Sequence, residues 1–238
     1  MTTQQLLPIS SVSAGREPSF APATRIQESF VASGERKILV WLAERTPDWI
    51  NSDHLTILGL LGMLLGGLSY AWARWHRYGL LLAVGALAIN WLGDSLDGTL
   101  ARVRNRQRPR YGFYVDHVID TFSALFLMGG LALSGYVHPA VAIGMLVAYL
   151  MLSVEVYLAS YTLQSFRLSY AKFGPTEVRI LLAIGNVALL YRPVVTVFGE
   201  RYRLFDIGGV IAIAGMGTML VVSSILHTKK LYIEERLS

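Results

Sequence analysis

Six long apolar runs constrain this sequence more than any other feature. A helix needs about 20 consecutive apolar residues to cross the hydrocarbon core of a bilayer. Only 16% of the residues are charged, whereas a soluble chain carries about a quarter. The sequence therefore predicts an all-α membrane protein with six transmembrane helices, at about 53–74, 79–102, 112–134, 137–162, 176–198 and 206–227.

The segments outside these runs predict three further regions. Residues 1–23 are rich in Ser, Thr, Gln and Pro, which is typical of a disordered tail. Residues 24–46 carry an apolar stripe and end before Pro47, which predicts an amphipathic helix in the bilayer interface, with a soluble packing helix as the alternative. We expect a six-helix transmembrane domain at 47–228 and a cytoplasmic tail at 229–238.

Positive charge is distributed unevenly along the chain. With six crossings, both termini and the loops after the second and fourth helices share one side, which holds sixteen of the 21 Lys and Arg residues. Because positively charged loops stay in the cytoplasm, we expect that side to be cytoplasmic. The net charge of +5 then favours an anionic leaflet and anionic ligands over nucleic acid. The absence of cysteine excludes disulfides and thiolate metal ligands.

Two pairs of aspartates interrupt the second and third apolar runs. Asp94 and Asp97 are three residues apart, so both carboxylates project from one helix face. Asp116 and Asp120 are four residues apart and do the same on the next helix. Carboxylates brought together in a membrane repel each other and are costly to desolvate, unless divalent cations neutralise them. Oxygen ligands favour Mg²⁺ or Mn²⁺ over Zn²⁺; structural charges paired with arginines are the alternative.

Small residues and one arginine accompany the first aspartate pair. Gly98 and Ala101 leave room for a ligand against the helix backbone. Arg102 lies one turn after Gly98 and can hold a phosphate oxygen through two hydrogen bonds. Acid pairs that hold metal, small residues and an arginine together suit a pyrophosphate-containing donor.

The whole segment resembles the signature of the CDP-alcohol phosphotransferases. That signature is D-x-x-D-G-x-x-A-R, a spacer, then G-x-x-x-D-x-x-x-D. The spacer here has nine residues where eight is usual. The defining residues are all present, as Asp94, Asp97, Gly98, Ala101, Arg102, Gly112, Asp116 and Asp120.

The resemblance implies a reaction and roles for these residues. It implies an enzyme that moves a phosphatidyl or other substituted phosphate group from a CDP-linked donor to an alcohol hydroxyl, releasing CMP. It also implies two metal ions, Mg²⁺ or Mn²⁺, held by the four aspartates, with Asp120 as general base. Thr56, at the start of the first span, looks like the family's threonine at that place. The implied donor-binding set is Thr56, Asp94, Gly98, Ala101, Arg102, Gly112 and Asp116.

Polar residues outside the signature are candidates for an acceptor site. They are His117, Glu155, Lys172, Glu177 and Arg179. His117 adjoins a predicted ligand but projects in another direction from the helix. Glu155 lies within the fourth span, where it must either pair with a basic residue or line a cavity. Glu177 is alternatively only a favourable acid in the first turn of a helix.

The sequence leaves open which molecules serve as donor and acceptor, and each pair corresponds to a different enzyme type. The compact six-span plan favours CDP-diacylglycerol and a polar alcohol, at the inner membrane of a bacterium. A choline/ethanolamine-type enzyme, with a CDP-headgroup and diacylglycerol, is the alternative. Either way at least one partner is a lipid; we expect no nucleic acid, and we also consider a homodimer. An ion-coupled transporter is the competing class, but its repeated halves and broken spans are not evident here.

Overall fold

The structure, a computed structural model, describes residues 24–26, 32–163, 165–167 and 175–236. Helices dominate these residues, and the strands are short pairs. The predicted all-α class is confirmed. In chain order the elements are β1 (Thr24–Ile26), α1 (Ala32–Arg45), α2 (Ser52–Ala73), α3 (Gly79–Val103), α4 (Pro109–Leu133), α5 (Pro139–Leu163), β2 (Ser165–Arg167), α6 (Pro175–Tyr191), β3 (Val194–Val197), β4 (Glu200–Arg203) and α7 (Leu204–Glu234).

Within the described residues, five helices are long and apolar enough to cross a membrane. They are α2, α3, α4, α5 and α7, and each has 22 to 31 residues. Their positions agree with the predicted runs to within a few residues, except that α7 continues to Glu234 and takes in much of the predicted tail. Helices of this kind make the protein an integral membrane protein.

The fifth predicted span differs from the structure. The run at 176–198 forms α6, which has 17 residues and ends at Tyr191. Pro193 follows, and a proline disfavours helix at the residue before it. The remainder of the run forms β3, which pairs with β4 in an antiparallel hairpin. Phe198 and Gly199 form its two-residue turn, both with positive φ, as such turns require.

The amphipathic helix also starts later than predicted. The expected helix at 24–46 begins at Ala32, while Thr24–Ile26 forms a strand whose backbone pairs in parallel with Ser165–Arg167. The predicted tail at 1–23 lies outside the described residues. Leu39 and Ala43 of α1 are buried against α2 and α3, whereas Ile38 and Trp41 are about half exposed on its other face. That exposed apolar face is consistent with a helix at the bilayer interface.

Glycines bring α2 into backbone contact with α3 and α4. A Cβ atom built on Gly130 of α4 would lie 2.0 Å from the carbonyl oxygen of Gly67 in α2. One built on Gly93 of α3 would lie 2.4 Å from the amide nitrogen of Gly59. No side chain fits at either crossing, so the backbones can approach this closely only with glycine. These crossings fix the positions of the two helices that carry the aspartates.

A short loop joins α3 to α4. It contains residues 104–108, because α4 already begins at Pro109, a residue suited to the first position of a helix. Arg104 holds the loop against the α1–α2 connection: its guanidinium donates to the carbonyl oxygens of Thr46 and Ile50, both at 2.6 Å. The turn passes through Asn105, which has a φ of 54°. The loop therefore brings the aspartate-bearing ends of α3 and α4 to the same end of the bundle.

Candidate active site

Three carboxylates meet between α3 and α4. Among the described residues, Asp94, Asp116 and Asp120 each offer one oxygen, and these oxygens lie within 4.8 Å of one another. All three side chains are half-buried, so their mutual repulsion is poorly screened by water. An all-oxygen donor set suits a hard divalent cation such as Mg²⁺ or Mn²⁺. The residues present thus fit a divalent metal.

Asp97 lies beside this group and has other partners. Its Oδ2 atom is 2.6 Å from the hydroxyl oxygen of Thr56 in α2, and its Oδ1 atom accepts the backbone N–H of Gly98. The Thr56 hydroxyl also lies 2.9 Å from the carbonyl oxygen of Ser52. The structure therefore brings three of the four predicted ligands together and holds the fourth next to them through Thr56.

All four aspartates line one small cleft. Helices α2, α3 and α4 form its walls, and most of the lining side chains on α3 and α4 are polar. The lining residues are Thr56, Gly59, Leu60, Asn90, Asp94, Asp97, Asp116, Ile119, Asp120 and Ser123.

Arg179 of α6 connects this cleft to the rest of the bundle. Its Nη2 atom forms an ion pair with Asp94, and its Nε atom donates to the Asn90 side-chain oxygen at 2.8 Å. Asn90 in turn donates to the carbonyl oxygen of Gly59 at 2.9 Å. The guanidinium is largely buried and places a positive charge directly beside the carboxylates. Arg179, one of the predicted acceptor residues, is thus joined to a cleft aspartate by a hydrogen bond.

Sequence reasoning missed Asn90. It is buried, and it orients both Arg179 and the α2 backbone. The signal was available, because an amide within an apolar run must find partners inside the protein. Asn90 also precedes Asp94 by four residues, which places the two on the same helix face.

The predicted phosphate-binding residues lie beside the cleft on a more open surface. Arg102 is exposed, and its Nη2 atom is 3.0 Å from the Thr99 hydroxyl. A Cβ atom on Gly98 would lie 3.5 Å from the Arg102 Nη1 atom, so the guanidinium extends along the helix over this glycine. Gly112 is exposed with open space at its Cβ position, and Ala101 is half-buried. The surface around these four residues is open to a ligand.

Two other predicted acceptor residues face different partners. The Nδ1 atom of His117 lies 2.6 Å from the Phe113 carbonyl oxygen, and its ring packs edge-on against Tyr157 of α5. Glu155 pairs with His227 of α7 at 2.6 Å. Of the two readings of Glu155, the geometry therefore matches pairing with a basic residue.

The remaining two candidates lie around the start of α6. Glu177 is buried in the first turn of that helix, two residues before Arg179. Lys172 lies outside the described residues.

The fold and the carboxylate cluster together define a membrane-embedded protein with a group of carboxylates that can bind a divalent metal. The sequence matches the CDP-alcohol phosphatidyltransferase family over residues 49–223, and the chain belongs to that family. This confirms the resemblance seen in the aspartate motif. The chain is also 35% identical over 89 residues to an archaetidylinositol phosphate synthase of Pyrococcus horikoshii. That segment is 37% of this chain and 44% of the relative, so the match spans less than half of that protein.

Proposed function

We propose that the protein is a metal-dependent transferase of phospholipid biosynthesis. It would move a phosphatidyl group from a CDP-linked donor, CDP-diacylglycerol, to the hydroxyl of a polar alcohol and release CMP. The observation that carries this proposal is the group of Asp94, Asp116 and Asp120 oxygens within 4.8 Å, inside the segment that matches the family. Ionisable side chains gathered within membrane-spanning helices are costly and mark functional sites.

We assign all four aspartates to metal binding and Asp120 also to proton transfer. Asp94, Asp97, Asp116 and Asp120 would hold two Mg²⁺ or Mn²⁺ ions, which when bound would neutralise negative charge on the donor phosphates and on departing CMP. The acceptor's hydroxyl oxygen attacks the β-phosphorus of the donor in line, and Asp120 accepts the proton of that hydroxyl. A bond forms between this oxygen and the β-phosphorus. At the same time the bond between the β-phosphorus and the bridging oxygen of the pyrophosphate breaks, and its electron pair leaves with CMP.

The donor is bound along α3 and the start of α4. Arg102 holds a phosphate oxygen, and Gly98, Ala101 and Gly112 leave the space that the nucleotide needs. The exposed position of Arg102 and the open surface at Gly112 support this assignment. Thr56 orients Asp97 through the hydrogen bond between their side chains.

Arg179 is the residue that we assign to the acceptor. It lies directly beside the proposed chemistry, because its guanidinium contacts Asp94. A cation at this position would bind an acceptor that carries an anionic group. The name of the Pyrococcus horikoshii relative, archaetidylinositol phosphate synthase, makes an inositol phosphate one of the acceptors to test. His117 and Glu155 are weaker candidates because they face α5 and α7.

We infer that α6 completes a sixth crossing. At about 1.5 Å per residue its 17 residues reach about 26 Å, slightly less than the hydrocarbon core. Its start lies beside Asp94 in the C-terminal half of α3, whereas Asn186 donates to the Tyr70 hydroxyl near the end of α2. The helix therefore runs from one end of the bundle toward the other. The charge pattern supports an active site at the cytoplasmic face, in our proposal of a bacterial inner membrane.

A donor screen tests this function. Purified protein in mixed micelles would receive CDP-diacylglycerol, CDP-choline or CDP-ethanolamine with matching acceptors, and CMP release would be measured with Mg²⁺, with Mn²⁺ and with chelator. We expect release from CDP-diacylglycerol in either metal and none in chelator. Turnover with CDP-choline and diacylglycerol alone would select the choline/ethanolamine-type alternative. Full activity in chelator would contradict metal dependence.

A further inference from the structure

We propose that Glu35 of α1 is a positioning residue, which ties the first turn of α6 to α3 and thereby sets Arg179 against Asp94. Glu35 is only 8% exposed. Its Oε1 atom accepts hydrogen bonds from the Trp91 indole N–H at 2.7 Å and from the Thr176 hydroxyl at 3.0 Å. A third donor, the Ser95 hydroxyl, lies 3.3 Å away.

These three donors belong to residues within one helical turn of Arg179 or Asp94. Trp91 and Ser95 stand three residues before and one residue after Asp94 on α3. Thr176 stands three residues before Arg179 on α6, so it lies one turn away on the same side of the helix. A single carboxylate oxygen therefore bridges two helices within a turn of the ion pair that joins them.

Attachment of α1 to the bundle does not by itself require this carboxylate. Leu39 and Ala43 of α1 already pack against Leu55, Leu96 and Leu100. A buried carboxylate among apolar side chains is costly unless hydrogen bonds satisfy it, and here each donor comes from a helix of the site. Glu35 lies on α1, before residue 49, where the match to the family begins.

The role of Glu35 in turnover rests on the proposed function, but its role in position can be measured without it. Hydrogen–deuterium exchange of α6 would be compared in the wild type, in Glu35→Gln and in Glu44→Gln. Glu44 is an exposed glutamate on the same helix and serves as the matched control. We expect faster exchange in the first turn of α6 only in Glu35→Gln. Unchanged exchange in that variant would overturn the proposal.

Kinetics then separate positioning from general stability. Because hydrogen bonds to a charged group are the strong ones, we expect Glu35→Gln to lower kcat/KM for the acceptor by roughly tenfold or more. The affinity for CDP with Mg²⁺, measured by calorimetry, should stay within about twofold, because Arg102 and the aspartates are untouched. An equal loss of CDP affinity would mean that the whole site is disturbed, which would contradict a role confined to α6.

A double-mutant cycle with Arg179→Ala gives the decisive result. If Glu35 acts through Arg179, adding Glu35→Gln to Arg179→Ala should cause little further loss, whereas independent effects multiply. Multiplicative losses would overturn the proposal. If Glu35 variants fail to fold, Thr176→Val and Thr176→Ser can be compared instead. Only serine keeps the hydroxyl that donates to Glu35, so only Thr176→Val should lose acceptor use. If the wild type releases no CMP from any CDP donor, the proposed function fails, while the exchange measurement still decides the role of Glu35.

Discussion

The helices of this protein fall into two differently packed regions. In the most apolar part of α3, 44% of the residues are buried inside the protein, and in α2 the share is 33%. In α5 and α7 it is 11% each. The first region, α2 to α4, has backbones in contact at glycines and carries all four aspartates. The second region, α5 and α7, presents most of its surface outward.

The difference shows that the helices carrying the aspartates are the most closely packed part of the fold. Metal ligands must be held to within fractions of an ångström, and backbone contacts between helices provide that rigidity. Helices that face lipid gain little from burial against each other, because lipid tails are as apolar as leucine. We therefore expect substitutions in the first region to have large, position-specific effects, and substitutions in the second to have small ones.

The largest effect on turnover is expected at Asp120. Asp120→Asn keeps the size of the side chain and one ligand oxygen, but the amide cannot accept the acceptor's proton. Turnover should fall by about 10²–10⁴-fold, the range typical of a general base. CDP and Mg²⁺ binding, measured by calorimetry, should persist. Asp97→Asn is the comparison, and it should weaken donor and metal binding together. Turnover of Asp120→Asn near the wild-type rate would remove Asp120 as the base and make His117 the next candidate.

The sequence predicted the first region well because its determinants are local. The spacing of the aspartates and the helix period together specify which carboxylates share a face. The position of Asp97 was harder to predict, because its separation from the other three depends on the hydroxyl of Thr56, 41 residues away.

The contacts of Glu35, Arg104 and Arg179 were less accessible to sequence reasoning. Each joins segments more than 50 residues apart, and helix periodicity does not report which helices are neighbours. An amphipathic pattern alone places a glutamate toward solvent, whereas Glu35 contacts α3 and α6. The hairpin of β3 and β4 was missed because its valines continue the apolar run of α6.

Arg102 should show the next largest effect, this time on donor binding. Arg102→Ala removes a charge-assisted contact to a phosphate, which contributes about 1.5–3 kcal/mol, so CDP affinity should fall at least tenfold. Folding should be unaffected, because the side chain is exposed. Arg106→Ala, in the loop after α3, is the matched control and should change CDP affinity little. Equal losses at both positions would mean that the loop attracts the donor only through its overall charge.

The glycine crossing gives a prediction for stability. Gly130→Ala forces a methyl group against the Gly67 carbonyl, and crowding of this kind destabilises by about 1–3 kcal/mol. Gly129→Ala is the control, since nothing lies within 4 Å of its Cβ position and alanine favours helix by about 1 kcal/mol. Thermal unfolding in one detergent should show a lower Tm for the first and an equal or higher Tm for the second. Equal tolerance of both would mean that α2 and α4 are not in backbone contact.

The smallest effect on turnover is expected at Glu155, in the second region. Its Oε1 atom contacts His227, while its Oε2 atom is buried without a hydrogen-bond partner among the described residues. Glu155→Gln keeps a polar group opposite the histidine but removes the charge.

The Glu155–His227 pair lies between α5 and α7, outside the residues that line the cleft. Turnover of Glu155→Gln should therefore stay within about twofold of the wild type. Its stability should change by about 0.5–3 kcal/mol, as is usual for single substitutions. Arg179→Gln is the matched comparison, because it removes a charge that contacts Asp94 and should lower acceptor use strongly. The measurement is kcat and acceptor KM for both variants, beside their Tm values. A tenfold rise in acceptor KM for Glu155→Gln would place Glu155 in the acceptor site, and the division between a rigid catalytic region and a lipid-facing region would then be wrong at α5.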